Sequence, residues 1–443
     1  MFVNNKVAAG IVLLNVALLA YVYYYFQLQN RSSSRVVVAS RTHSEEGEAD
    51  EWDDYSYYTS PINWPQKVAE LHNTTTAIIR FKSLTKKKYW STQRAKVGQA
   101  ELTRPDLNLS SLPPALYEMA KPVFDLLPNS YLPGYKSPCW RVKPRMVLRC
   151  LPYFYLLGMP KSGTTDLWAK IMRHPQVKYT IKEPHWWSRS RFGRGKLRIY
   201  ASRSKRMVET FALHPSLKPR LVIGDGSAST FWDNKKWKIW DGERYEGPTY
   251  VTADVIHAAQ PDAKLLVILR NPVDRLYSDY LYFNPKLHVN TSVDLFHIEV
   301  VAVINRFNKC LKTMSFRGCV YSISEIQDPR VYCRLLIGVY SVYVRDWFRA
   351  YPRDQLKIMR LEDWHVNCTG ILPEIFDFLN LERIWNKQIE RFCTERLENG
   401  NKAKLHSIGE MLPKTRKLLE NFYARSNKEL SLLLGDEKYL WRS

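Results

Sequence analysis

One stretch constrains the fold of this chain more than any other. Residues Gly158 to Thr165 read GMPKSGTT, directly after the apolar run Tyr153 to Leu157 and directly before a helix-like stretch, Asp166 to Arg173. A strand feeding a Gly-containing turn that opens a helix aims several backbone N–H groups and the positive helix end at one point, where an anion is stabilised. The stretch predicts a phosphate-binding loop, with a purely structural turn as the alternative. The nucleoside triphosphatase loop G-x-x-x-x-G-K-[ST] puts its Lys after the second Gly. Here Lys161 precedes Gly163, which speaks against a nucleoside triphosphate as the bound anion.

Around this loop the apolar pattern alternates between strand and helix periods. It predicts strands at 153–157, 177–181, 221–225, 264–270 and 355–361. Helices are predicted at 164–174, near 196–213, and at 250–259, 272–283, 330–350, 370–380 and 413–434. Such alternation predicts an α/β fold, a P-loop-like parallel sheet flanked by helices. The stretch from Phe283 to about Arg330 lacks a clear period and reads as an irregular insertion beside the cleft. Residues 65–150 are rich in Pro and predict short helices and loops wrapping the body at 151–443 rather than an independent domain.

Ahead of these segments, Val7 to Phe26 form an apolar run interrupted only by Asn15 and ending in aromatic residues. At about 1.5 Å per residue it is long enough for a hydrocarbon core of about 30 Å. With no small-residue cleavage site close behind, it reads as an uncleaved anchor over residues 7–26 rather than a signal peptide. Residues 1–6 form a short tail, and 27–64, polar, acidic and Ser-rich, a stem. Arg31, Arg35 and Arg41 behind the span argue for a cytoplasmic body. Five N-x-S/T sequons, at Asn30, Asn73, Asn108, Asn290 and Asn367, and seven Cys argue for a lumenal one, which is the reading adopted.

The seven Cys are Cys139, Cys150, Cys310, Cys319, Cys333, Cys368 and Cys393, so at least one stays unpaired within the chain. Cys139 with Cys150 and Cys310 with Cys319 would close the shortest loops, but spacing leaves the pairing open. No C-x-x-C pair or nearby His pair suggests zinc, and no carboxylate cluster suggests another metal. The formal net charge of +23 implies a polyanionic partner. The span and the sequons favour a sulfated polysaccharide over nucleic acid, for which no motif is present.

Two further motifs carry chemistry. KLLVILRNPVDRLYSDY, Lys264 to Tyr280, sets a buried strand before Arg270, at the strand end where open α/β sheets bind ligands. Pro272 then opens a helix that carries Ser278 within reach of the same anion. IKEPHWW, Ile181 to Trp187, follows the predicted second strand. It offers Glu183 as a general base, His185 to orient an acceptor or share the proton, and Lys182, Trp186 and Trp187 as acceptor contacts. The alternatives are a surface salt bridge for Glu183 and core packing for the two Trp.

These motifs resemble those of the Golgi carbohydrate sulfotransferases, over roughly Cys139 to the C-terminus. GMPKSGTTDL, KEPHWW, LRNPVDRLYSDY and MLPKTRKLLENFYARSNKELSLLLGD all look like that family. The resemblance implies the sulfotransferase fold and 3′-phosphoadenosine 5′-phosphosulfate (PAPS) as donor. It also implies residue roles: Lys161, Ser162, Gly163, Thr164 and Thr165 at the 5′-phosphosulfate, Arg270 and Ser278 at the 3′-phosphate, and Glu183 as base.

The CW at Cys139 and Trp140, RCLPYFYLLG and the double Trp incline toward the branch that sulfates the 6-hydroxyl of 4-sulfated N-acetylgalactosamine in glycosaminoglycans. A heparan sulfate O-sulfotransferase and a non-catalytic polysaccharide-binding protein are the other readings. Asp225 stands near a position that heparan enzymes fill with Lys, which speaks against a heparan acceptor. Where those enzymes close a donor loop with a Cys pair, only Cys393 precedes ENGNKAKLH, with Lys402 and Lys404 as donor-loop candidates.

Overall fold

The structure is a computed structural model that describes residues 103–192, 197–234, 236–242, 244–287, 290–327, 333–394 and 408–442. The expected tail, anchor and stem, the sequons at Asn30 and Asn73, and Lys402 and Lys404 lie outside the described residues. Among the described residues no helix is long and apolar enough to cross a membrane.

Helix α1 (Pro114–Phe124) comes first, with Pro at its N-terminal turn, where the missing N–H costs nothing. The hairpin of β1 (Cys139–Val142) and β2 (Val147–Cys150) follows, with Cys139 opposite Cys150 and disulfide-bonded to it. Then come β3 (Phe154–Gly158), α2 (Thr164–Ile171), α3 (Leu197–Ala201), α4 (Lys205–Leu213), β4 (Gly224–Asp225), α5 (Thr252–Ala259), β5 (Lys264–Leu269) and α6 (Pro272–Phe283). The chain continues through α7 (Val293–Cys310), α8 (Tyr340–Ala350), β6 (Leu356–Arg360), α9 (Leu361–Val366), α10 (Cys368–Phe378), α11 (Asn386–Thr394) and α12 (Pro413–Leu434).

Strands β3 to β6 form one parallel sheet in the order β4-β3-β5-β6. Successive side chains of a strand point to opposite faces, and both faces here are covered. Tyr155 and Leu157 of β3, with Leu265, Val267 and Leu269 of β5, enter a core shared with α1, α5, α6, α7, α8 and α12. Phe154, Leu156, Leu266 and Ile268 enter the opposite core, with Leu167 and Ile171 of α2, Ile375 of α10 and Phe392 of α11. The central strands are therefore apolar at nearly every position, and their C-terminal ends share one edge.

Several expectations needed correction. The predicted strand at 177–181 is a single bridge from Val177 to Val222, after which the Thr180 hydroxyl, not the backbone, bonds the Gly224 carbonyl at 2.8 Å. The predicted helix at 330–350 begins only at Tyr340. Ahead of it, Leu335–Gly338 form a single 3₁₀ turn, in which Leu336 O accepts the Val339 N–H as well as the Tyr343 hydroxyl, and Leu335 O accepts from the Tyr423 hydroxyl.

The supposedly irregular insertion contains α7, whose buried Phe296, Val300, Val303, Ile304 and Phe307 form a helical stripe, with Ser292 accepting from the Leu295 N–H as N-cap. The pairing that spacing left open is Cys368 with Cys393 and Cys310 with Cys319, besides Cys139 with Cys150, and Cys333 is the free, buried thiol. The sequons at Asn108, Asn290 and Asn367 are all exposed.

Candidate active site

Four strand ends deliver the candidate site. From β3 comes the loop Met159–Gly163, anchored where the Met159 N–H donates to Ile268 O at 2.8 Å. Lys161 adopts φ +65° and Gly163 φ +78°. A Cβ on Gly163 would press against Leu361 Cδ1 in a left-handed backbone conformation, so a larger residue there is strained and forces the Leu361 side chain of α9 to move.

The first intrahelical bond of α2 runs from the Leu167 N–H to Gly163 O, so the N–H groups of Gly163 to Asp166 are the donors a helix start leaves without intrahelical acceptors. The Ser162 N–H donates to Met159 O at 3.2 Å, and its side chain is fully buried inside the loop.

Lys161 Nζ stands 3.5 Å from the centroid of the Tyr282 ring, a cation–π contact that holds the ammonium at the loop's edge. At the end of β5, Arg270 Nη1 donates to Lys161 O at 3.2 Å, and Tyr340 Oη donates to Arg270 O at 2.9 Å. Burial pulls the Arg270 pKa down, opposed by Asp274 and Glu362, and an arginine so shifted still carries its charge. Thus Arg270 touches the loop. Ser278 is half-buried on α6. From the end of β6, Glu362 accepts the Asn271 N–H at 2.8 Å.

The fourth strand end supplies a cradle that sequence reading missed. After β4, residues 226–229 run against 183–185. The Glu183 N–H donates to Gly226 O at 3.0 Å, and the Ala228 N–H donates to Glu183 Oε2 at 2.9 Å. Ser227 Oγ accepts the His185 N–H at 3.0 Å, and Ser229 Oγ lies 2.6 Å from His185 Nδ1. Glu183 and His185 both have positive φ, +58° and +49°, a strained conformation for side-chain-bearing residues that these bonds hold in place.

Lys182 ion-pairs with Glu183 and lies 3.5 Å from the Thr164 hydroxyl, linking the carboxylate to the phosphate loop. On the other side of the carboxylate, His185 Nε2 stands 3.4 Å from Glu183 Oε2. Burial lowers the His185 pKa, with Glu183 opposing and Arg189 reinforcing the shift. Glu183 is about a third exposed at 34%, open enough to meet a substrate hydroxyl.

Beneath the cradle lies Asp225, buried, with the Ser227 and Tyr200 hydroxyls each donating to it at 2.6 Å. Burial raises its pKa. Asp225 is thus an internal anchor for Ser227 and does not face an acceptor, so it carries no information about heparan. Trp186 and Trp187 likewise take the core alternative: they are 4% and 0% exposed, Trp186 stacked on Tyr200 and Trp187 donating to the Tyr200 hydroxyl. Asp166, also unforeseen, is buried with Lys170 and accepts from Trp364 Nε1 at 2.9 Å, tying α2 to α9.

A parallel α/β sheet with a Gly-containing anion loop, an arginine on that loop and a carboxylate beside it defines a protein that binds a phosphorylated nucleotide and moves a group from it. The chain belongs to the sulfotransferase family, whose domain model matches residues 152–420. It is a PAPS-dependent enzyme.

It is 36% identical over 384 residues to carbohydrate sulfotransferase 15 of Rattus norvegicus, covering 72% of this chain and 67% of that protein. The Homo sapiens carbohydrate sulfotransferase 15 is 35% identical over the same coverage. A bifunctional heparan sulfate N-deacetylase/N-sulfotransferase of Drosophila melanogaster is 25% identical over 349 residues, 74% of this chain and 30% of that protein. Among solved structures, a sulfotransferase from Alicyclobacillus acidocaldarius aligns with TM-score 0.42 and 20% identity over 66% of this chain and 100% of its own.

Proposed function

We propose that this chain transfers the sulfuryl group of PAPS to a glycosaminoglycan hydroxyl, the 6-OH of 4-sulfated N-acetylgalactosamine in chondroitin or dermatan sulfate. The observation that carries the chemistry is the Glu183 carboxylate, fixed by the Ala228 N–H between Lys182 and His185 and linked through Lys182 to the phosphate loop. The acceptor follows the 36% identity to carbohydrate sulfotransferase 15 and a net charge of +23 suited to a sulfated polymer.

In this reading the acceptor oxygen attacks sulfur as its O–H proton passes to Glu183, and the bond from sulfur to the 5′-phosphate oxygen breaks, releasing adenosine 3′,5′-bisphosphate. Lys161 and the N–H groups of Gly163, Thr164 and Thr165 balance the charge on the leaving phosphate. Arg270 and Ser278 take the 3′-phosphate, with Lys402 and Lys404 as further donor-loop cations. His185 orients the acceptor. Three disulfides and the exposed sequons support a lumenal body on a Golgi anchor at residues 7–26.

The test incubates the enzyme with labelled PAPS and, separately, chondroitin 4-sulfate, dermatan sulfate, heparan sulfate and desulfated chondroitin. Label at O6 of 4-sulfated residues is expected. Label in heparan alone overturns the acceptor, and label in none overturns catalysis. Glu183→Gln should lower kcat by about 10²–10⁴-fold with PAPS affinity retained.

A further inference from the structure

The groups around the proposed transfer point form a chain of contacts. Thr164 of the phosphate loop, Lys182, Glu183 and His185 follow one another through contacts of 3.5 Å from Lys182 Nζ to Thr164, the Lys182–Glu183 ion pair, and 3.4 Å from Glu183 to His185. One turn beyond, the Arg189 N–H donates to His185 O at 3.0 Å, setting Arg189 at the end away from the donor loop. Its charge reaches His185 and helps to lower that pKa.

Arg189 is built to face outward. Its Nε donates at 2.6 Å to Asp233, which is only 1% exposed, and its guanidinium lies 5.9 Å from the ring centroid of the buried Trp232. Yet the Arg189 side chain is 41% exposed, and among the described residues its guanidinium makes no other hydrogen bond. One edge of the fork is therefore fixed to the core, and the Nη edge is left for an outside acceptor on the His185 side of the site.

Among the described residues, three cations near this segment are committed elsewhere. Lys182 pairs with Glu183, Arg334 with Asp279, and Arg203 donates to Ile181 O.

We propose that Arg189 is the receptor for a sulfate monoester already present on the acceptor sugar next to the hydroxyl being sulfated. The inference rests on the proposed acceptor and deepens it. In a galacto-configured ring the axial O4 and the C6 arm lie on the same face, so a 4-sulfate flanks O6. With O6 at Glu183, that sulfate points either toward the donor's own anionic group or away from it. Like-charge repulsion disfavours the first direction. The second leads past His185 to Arg189, whose planar fork matches two sulfate oxygens.

The test measures steady-state transfer from PAPS by the full chain to chondroitin 4-sulfate and to desulfated chondroitin, in wild type, Arg189→Ala and Arg189→Lys. Binding of adenosine 3′,5′-bisphosphate checks that each variant is folded. Wild type is expected to prefer the 4-sulfated acceptor. In Arg189→Ala the KM for that acceptor should rise about ten- to hundredfold, collapsing the preference, with nucleotide affinity kept. Arg189→Lys should recover part of it, since charge remains but the fork is lost.

Variants that bind nucleotide and keep the full preference overturn the role of Arg189 while leaving the acceptor intact. Wild type that transfers to heparan but not to chondroitin overturns the acceptor itself, and with it this inference.

Discussion

The Ala228 N–H donates to Glu183 Oε2 at 2.9 Å, so the candidate base is held by the backbone of a segment 45 residues away in sequence. Glu183 Oε2 thereby keeps a backbone donor that no side-chain substitution removes, beside its side-chain neighbours Lys182 and His185. The adjoining bonds from Ser227 and Ser229 to His185 make the segment 226–229 a positioning device for the whole KEPH turn.

Ser227→Ala removes the acceptor of the His185 N–H and the donor to Asp225. A buried group left unpaired costs about 1–3 kcal/mol, and the strained turn at 183–185 should relax. Stopped assays should show kcat lowered about tenfold or more with PAPS affinity nearly unchanged, because the phosphate loop is untouched. A change confined to KM for PAPS would contradict this.

Gly163→Ala places a Cβ against Leu361 in a left-handed backbone conformation. The cost should be about 1–2 kcal/mol from the backbone alone, with more from the overlap. Calorimetry should report a lowered Tm, and adenosine 3′,5′-bisphosphate binding should weaken because Gly163 opens the helix that offers the N–H donors. Leu361→Ala in the same background should restore part of both.

The lowered pKa of His185 has a defined sign for stability. The folded state disfavours the charged ring, so as pH falls through the ordinary histidine value of about 6.5 the unfolded chain takes up the proton first and stability declines. The groups around the ring are Glu183, Arg189, Asp233 and Lys182. Thermal unfolding between pH 7 and pH 5, compared for wild type and His185→Gln, should show a shallower decline in the variant. An identical slope would show that His185 carries none of it.

Cys333 is buried, and burial pushes its thiol well above the ordinary range. Iodoacetamide at neutral pH should leave the native protein unlabelled and label one site after unfolding without reductant. Reduction before unfolding should expose the six disulfide cysteines as well.

The sequence by itself determined the local pieces. The strand–loop–helix at Phe154 to Ile171, the β5 strand before Arg270 and the helix from Pro272 to Phe283 are set by apolar period and by Gly and Pro chemistry within a few residues, and they stand where the pattern put them. The placement of Arg270 and of the Lys161 loop at strand ends of one parallel sheet was likewise readable.

Only the tertiary structure decided which of several locally equivalent readings each polar or aromatic residue takes. Trp186 and Trp187 went to the core because Tyr200 of α3 packs against them, and Asp225 was withdrawn from the cleft by Tyr200 and Ser227. The cradle at 226–229 and the Cys368–Cys393 bond arise from chain segments far apart in sequence, so no spacing rule contains them. The segment Gly224 to Thr230, GDGSAST, lies at a strand end, but Ser227 and Ser229 acquire meaning only when packing sets them against His185.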